Sequence, residues 1–363
     1  MISSLNSNYD YRIDIIRAIA CILVAVIHVS VPTFTGPLWA DAGFIGTIIL
    51  SLVECGWIGV PIFLFISGYS LALGKYSPGH SLDILQFALN RLLRLYPIYV
   101  IVLVLLVMNH GAGATTILQL MLFQLQAMPP ATAFNIAWSL QLEVGCYFLF
   151  PVVLYLVREK SSGVFALLGA LLFLRLLMVF QPSERQFLIS YSSLLGGGVI
   201  FTIGMMSARL PRLRPCAATR VATFAGIFGI VMFCLFVASH GGYQAPTGRV
   251  IKYVFLFMPE FIGLSMFLIA FGYLRTSVPG SRICPTAKAF AYFGTISYSA
   301  YIFSLFVHDF VAAYLGRHSG GWLDWAYFLF VYFVFLTATA SLTYFGLEKP
   351  FLNLRKSYLR RKQ

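Results

Sequence analysis

Apolar residues run along this chain in long unbroken blocks separated by short polar stretches. They do not alternate as in a strand, nor do they form the one-sided stripe of a soluble helix. Blocks that fit bilayer spans fall at 12–32, 44–73, 95–109, 136–157, 162–180, 190–208, 221–239, 252–274, 289–314 and 323–347. The pattern predicts an all-α polytopic membrane protein of about ten transmembrane helices. A further apolar stretch, 114–127, is short and bracketed by Gly113 and Pro129-Pro130, and reads as a re-entrant or interfacial helix. Pro61, Pro151 and Pro259 fall inside spans, where kinks are expected. The small residues of Gly56–Tyr69 suit close helix packing. Gly196-Gly197-Gly198 suits packing too, or a broken helix facing a cavity.

Charge placement gives the helices a direction. With ten spans and both termini in the cytoplasm, 20 of the 25 Lys and Arg fall in inner loops and in the tail, four fall outside, and Arg175 stays within a span. Positive residues gather on the cytoplasmic side of membrane proteins, and a missed or added helix would scramble this bias. The expected organisation is one integral membrane domain over 1–363, closing with a basic cytoplasmic tail at about 349–363. The expected location is the cytoplasmic (inner) membrane of a bacterial cell, as a multi-pass protein.

Composition agrees with the pattern. The chain is 60% hydrophobic and 10% charged, against about 25% charged in soluble domains, and its mean hydropathy is +0.85. The net charge of +13 does not point to nucleic acid, because the basic residues sit beside spans, where topology explains them. Six cysteines show no CxxC or metal-type spacing, so neither a disulfide framework nor a metal site is expected. The first apolar run lacks the short core and cleavage site of a signal peptide, and reads as a retained span.

Against this background the ionisable residues inside spans stand out, since Arg or Asp at a helix centre costs about 2.5–3.5 kcal/mol to insert. Asp14, Arg17 and His28 fall within one narrow stripe of the first helix, Arg17 towards the cytoplasm and His28 about 16 Å further in, near the midplane. A histidine there suits proton transfer; it also suits a plain hydrogen bond within the bundle. Asp14 reads most simply as a local partner of Arg17. Arg91 and Arg94, three apart on one face before the third span, present the fork-shaped donors that match phosphate oxygens, although a positive-inside anchor explains them equally well. Trp138 and Ser139 open the fourth span, with Glu143 about 8 Å deeper and expected in the outer leaflet; this carboxylate can hold a base or a polar acceptor, or pair with a cation such as Arg175. Ser297, Tyr301, Ser304 and His308 recur at helical spacing in the ninth span, and can line a hydrophilic path or knit helices together. Glu54, Glu260 and Glu348 are further acids near span ends.

These segments, in this order, resemble the acyltransferase-3 family of integral membrane acyltransferases. Arg17 and His28 fit its Arg-x10-His pattern, and Gly56–Tyr69 resembles its Gly-Val-x-x-Phe-x-x-Ser-Gly segment. Arg91 and Arg94 fit Arg-x-x-Arg, and Trp138-Ser139-Leu140 with Glu143 fits Trp-Ser-Leu-x-x-Glu. The Ser297–Tyr301 run resembles Ser-Tyr-x-x-Tyr-Leu, and Glu348-Lys349-Pro350 resembles the closing Glu-x-Pro. One departure is Ser304, where many relatives carry a histidine; His308 lies one turn further on. The esterase-like extracytoplasmic domain that some relatives append is absent from this sequence.

The resemblance implies transfer of an acyl group, usually acetyl from cytosolic acetyl-CoA, to a hydroxyl of a cell-surface polysaccharide such as lipopolysaccharide, or of a lipid-linked glycan. The expected partners are thus acyl-CoA, the glycan and the lipid bilayer. In that reading His28, Arg17 and Glu143 are catalytic, and Arg91 and Arg94 bind the CoA phosphates. Trp138, Ser139, Ser297, Tyr301, Ser304 and His308 line the substrate path. No metal is required. The rival is a secondary transporter or exporter of a glycan or glycolipid using the same polar stripes; inverted repeats would favour it, and none is visible.

Overall fold

The computed structural model describes residues 10–361, apart from 31–33, 35–37, 40–41, 74–79, 111–137, 160, 179, 182, 242–248, 278–283 and 317–320. The expected helix at 114–127 lies outside the described residues. Fifteen helices and two short strands follow in order: α1 (Tyr11–Ser30), α2 (Phe44–Glu54), α3 (Gly59–Ala72), β1 (His80–Leu82), α4 (Ile84–His110), α5 (Trp138–Glu159), α6 (Ser161–Leu176), α7 (Ser183–Ser192), α8 (Leu194–Ser207), α9 (Ala217–Ser239), α10 (Arg249–Leu256), α11 (Met258–Ile269), α12 (Pro285–Thr295), α13 (Ser297–Leu315), α14 (Trp322–Thr343), α15 (Lys349–Asn353) and β2 (Leu359–Arg361). The fold is all-α, as expected of a chain that must satisfy its backbone polar groups within lipid.

Among the described residues six helices are long and apolar enough to cross a membrane, and a seventh span arises if α2 and the segment from Gly56 to Ala72 count as one. Three more apolar helices, at 162–176, 194–207 and 258–274, are shorter than a full span. Several spans expected to be continuous are broken. The block 44–73 bends by 46° after Glu54. The block 252–274 divides around Phe257, with Pro259 starting α11 rather than kinking it. The block 289–314 divides at Ile296. Ser193 separates α7 from α8 and caps the latter, its Oγ accepting from the Leu195 amide at 3.2 Å.

The bend after Glu54 has a tertiary cause. A Cβ on Gly56 would stand 2.2 Å from the backbone oxygen of Leu23, and one on Gly59 would stand 2.3 Å from that of Ala20. Only glycine lets the chain lie this close along α1. The same device joins α3 to α8, where a Cβ on Gly68 would meet the Phe201 oxygen at 2.2 Å. Outside this packed centre the bundle presents large apolar side chains, among them Phe44, Phe148, Phe165 and Leu342. Such a surface suits lipid and not water.

The loops that the charge bias assigns to one side touch one another at one end of the bundle. Arg12, 7% exposed, is paired with Asp10 at 2.6 Å and donates to the backbone oxygens of Tyr273, Leu274 and Thr276. Leu213 exchanges backbone hydrogen bonds with Arg275 and Ser277, both 2.8 Å, and Arg209 donates to the Val157 oxygen at 2.8 Å. At the other end Trp325 donates to Ser30 at 2.8 Å and Trp39 to Glu54 at 2.6 Å.

Candidate functional site

At the end that carries these basic loops, a partly open cavity of about 230 Å³ lies between α1, α3, α4, α5, α13 and the C-terminal segment. Its wall carries Arg17 from α1, Ser67 and Ser70 from α3, Arg91 and Arg94 from α4, and Ser139 and Glu143 from α5. Ser297, Tyr298 and Tyr301 from α13 complete it together with Arg355 and Tyr358, which follow α15. Among the described residues, four guanidinium groups thus face one cavity whose wall holds a single carboxylate.

Each charge has a distinct setting. Arg17 Nη1 pairs with Asp14 at 2.7 Å, and Nη2 donates to Ser70 Oγ at 3.1 Å. Asp14 lies behind the wall and offsets this one cation. Glu143 accepts from the hydroxyl of Tyr147, one turn on, and from Ser67 Oγ at 3.4 Å. Arg91 lies over the rings of Phe87 and Tyr147, 5.6 and 5.5 Å from their centroids, so aromatic faces carry part of its desolvation. The buried Nε atoms of Arg91 and Arg94 have no hydrogen-bond acceptor among the described residues. Behind Arg94 sits Glu348, accepting from Ser299 Oγ at 2.9 Å. Arg355 is exposed at the rim; loss of hydration there, then the charges of Arg94 and Arg91, lower its pKa below the ordinary guanidinium value. Hydroxyls and apolar side chains share the remainder: Ser139 and Tyr301 meet at 2.8 Å, Tyr298 donates to the Leu95 oxygen at 2.8 Å, and Val60, Phe63, Leu64, Leu71 and Leu140 line the cavity beside them.

Of the residues singled out from sequence, Arg17, Arg91, Arg94, Ser139, Glu143, Ser297 and Tyr301 come together on this wall. His28, Trp138, Ser304 and His308 do not line it. His28 lies on α1 about 16 Å beyond Arg17, close enough to His308 for their charges to interact. His308 Nδ1 in turn is 3.0 Å from Asp309. Trp138 packs on Tyr191, ring centroids 4.9 Å apart. Ser304 is buried, with its hydroxyl returned to the Tyr301 oxygen at 2.8 Å, a local bond that takes it off the polar stripe. Arg175 does not pair with Glu143: it is fully buried, bound to Glu260 and to the Leu256 oxygen at 2.9 Å, because α6 packs its last turn towards the α10–α11 break.

Sequence reasoning missed Ser67, Ser70, Tyr298, Arg355 and Tyr358. Ser67 and Tyr298 sit inside the segments Gly56–Tyr69 and Ser297–Tyr301, which stand out for other reasons, and Ser70 directly follows the first of them. Arg355 and Tyr358 lie in what reads as a plain basic tail.

The arrangement suits a ligand that carries several negative charges where the guanidinium groups gather and extends into an interior lined by both hydroxyl and apolar side chains. Comparison with known proteins bears on what that ligand is. The profile of the acyltransferase-3 family, described as an acyltransferase domain, matches residues 10–344. A protein of Acidianus two-tailed virus named as an acetyltransferase is 28% identical over 157 residues, which is 42% of this chain and 43% of the viral protein. The alignment thus spans less than half of that relative. No solved structure matches.

Proposed function

The chain belongs to the acyltransferase-3 family, and from that premise we propose that it is a membrane O-acyltransferase. It moves acetyl from cytosolic acetyl-CoA to a hydroxyl of a cell-surface polysaccharide or lipid-linked glycan, with both termini and the cationic mouth in the cytoplasm of a bacterial cell. The observation that carries the donor assignment is the set of Arg91, Arg94, Arg17 and Arg355 around one cavity, with the buried Nε atoms of Arg91 and Arg94 lacking acceptors among the described residues. Phosphate oxygens supply what those atoms lack.

In this reading Arg91 and Arg94 hold the phosphates, and the acyl-bearing arm runs inward past Arg17 and the Ser139–Tyr301 pair. His28 takes the proton of the acceptor hydroxyl as general base. The alkoxide oxygen attacks the thioester carbonyl, and the carbon–sulfur bond breaks as the ester forms. The thiolate of CoA leaves with the proton returned from His28. A transient acyl-His28 is the covalent variant of the same step. Arg17 and Glu143, on the cavity wall, place the donor arm on its way to His28.

The test is consumption of acetyl-CoA by purified protein with its glycan. His28→Ala is expected to slow turnover by about 10²–10⁴-fold while CoA still binds. Full turnover in that variant would refute the catalytic assignment. A deletion strain separates the enzyme from an exporter: its glycan should reach the surface and lack acetyl groups.

A further inference from the structure

The chain after α15 is not a loose tail. Residues Leu359–Arg361 pair antiparallel with His80–Leu82, and the Tyr358 oxygen accepts from the Asp83 amide at 2.8 Å. The buried side chain of Asn90 clamps the backbone of Lys356 from both sides, donating to its oxygen at 2.7 Å and accepting from its amide at 3.2 Å. Tyr358, 9% exposed, packs edge-on against Phe87, centroids 5.4 Å apart. Phe87, Asn90, Arg91 and Arg94 all belong to α4. The segment is therefore a strap, stapled to the helix that bears two of the cavity's arginines. Its effect is to bring a further guanidinium, that of Arg355, to the rim beside them. Loss of hydration first, and then the charges of Arg94 and Arg91, lower the pKa of Arg355, so holding it there is costly. The fold sustains it with four backbone-level anchors, and the family match ends at residue 344, before the strap begins.

We propose that Arg355 is a specificity-determining binding residue that holds the outermost phosphate of the donor. The proposal rests on the reading of the cavity as an acyl-CoA site. Arg91 and Arg94 are half-buried and Arg355 is exposed, so a ligand leaving the cavity meets Arg91 and Arg94 first and Arg355 last. In CoA the diphosphate lies nearer the acyl-bearing arm, and the ribose phosphomonoester lies beyond it. The diphosphate then falls to the α4 pair and the phosphomonoester to the strap.

The experiment is calorimetric titration of CoA and of 3′-dephospho-CoA into full-length protein in phosphatidylcholine nanodiscs, which offer no anionic headgroup as a competitor. Wild type should bind CoA about tenfold or more tightly than dephospho-CoA, the scale of a lost charge-assisted contact. Arg355→Gln should weaken CoA by a similar factor and leave dephospho-CoA unchanged. Arg355→Lys should recover part of the loss. Equal weakening of both ligands in Arg355→Gln, or no weakening of either, overturns the assignment while leaving the acyl-CoA reading intact. Failure of wild type to bind either ligand overturns both.

Discussion

Asp14→Asn separates an ion pair that holds the site from a group that works in it. Asp14 is 5% exposed, and its Oδ1 is 2.7 Å from Arg17 Nη1, whose side chain is 21% exposed. Two unit charges about 4 Å apart interact by about 4 kcal/mol at an effective dielectric of 20. Asparagine keeps an acceptor in place, and the partial exposure of Arg17 admits screening. The net loss is therefore about 1–3 kcal/mol. At an unfolding entropy of about 2.1 cal/mol/K per residue, that corresponds for a chain of this length to a Tm lower by about 1–4 °C. Arg17 remains on the cavity wall with one fewer anion behind it, so CoA should bind no more weakly than to wild type. Scanning fluorimetry in detergent and CoA titration measure the two quantities on one sample. An unchanged Tm together with a tenfold or greater loss of CoA affinity would refute the reasoning, because Asp14 would then act on the ligand and not on Arg17.

Gly68→Ala should lower Tm by the cost of overpacking, about 1–3 kcal/mol, because the new Cβ meets a backbone oxygen at 2.2 Å that cannot swing aside. Gly169→Ala, with open space at its Cβ, should leave Tm unchanged or raise it, since alanine favours a helix interior by about 1 kcal/mol; equal shifts for the two would count against the close-packing account. Arg175→Met removes one partner of the Arg175–Glu260 pair and should cost about 3 kcal/mol, the lower end for a buried pair because Glu260 is 33% exposed. CoA affinity should not change, and a parallel loss of binding would tie this pair to the cavity.

Much of the cavity wall is legible in the sequence because the membrane makes polar residues conspicuous. Arg17, Arg91, Arg94 and Glu143 interrupt apolar runs where an ionisable group is expensive, and Ser297 and Tyr301 share a helical stripe. What the sequence hides is set by long-range contact. The run 44–73 is apolar throughout, so nothing local marks the bend that Gly56 makes by lying on Leu23. Ser304 keeps helical spacing with Tyr301, yet its hydroxyl turns back to the helix, a choice of rotamer that spacing does not reveal. Arg355 looks like any cytoplasmic cation, because what brings it to the rim is pairing between residues some 270 positions apart, such as Asn90 and Lys356. The alternative pairing of Glu143 with Arg175 fails for the same reason: both are costly in lipid, but helix packing decides which acid each cation meets.

The separation of His28 from the cavity wall has a mechanistic consequence. Arg17 and His28 share one stripe of α1 but stand about 16 Å apart, and between them Cys21 is buried against the Ser297 oxygen at 3.6 Å. In the proposed mechanism donor binding and proton transfer then rest on different residues at different depths. Loss of a rim arginine removes binding that is the same in the ground and transition states, and raises KM with little change in kcat. Loss of His28 removes an interaction made only as the acceptor oxygen attacks, and lowers kcat with CoA affinity intact. A single compact site would mix the two effects in every variant. The split between Arg355 and His28 is therefore a test of the layout itself: phosphates at one end of α1, chemistry about three turns further along, and a long donor arm between them.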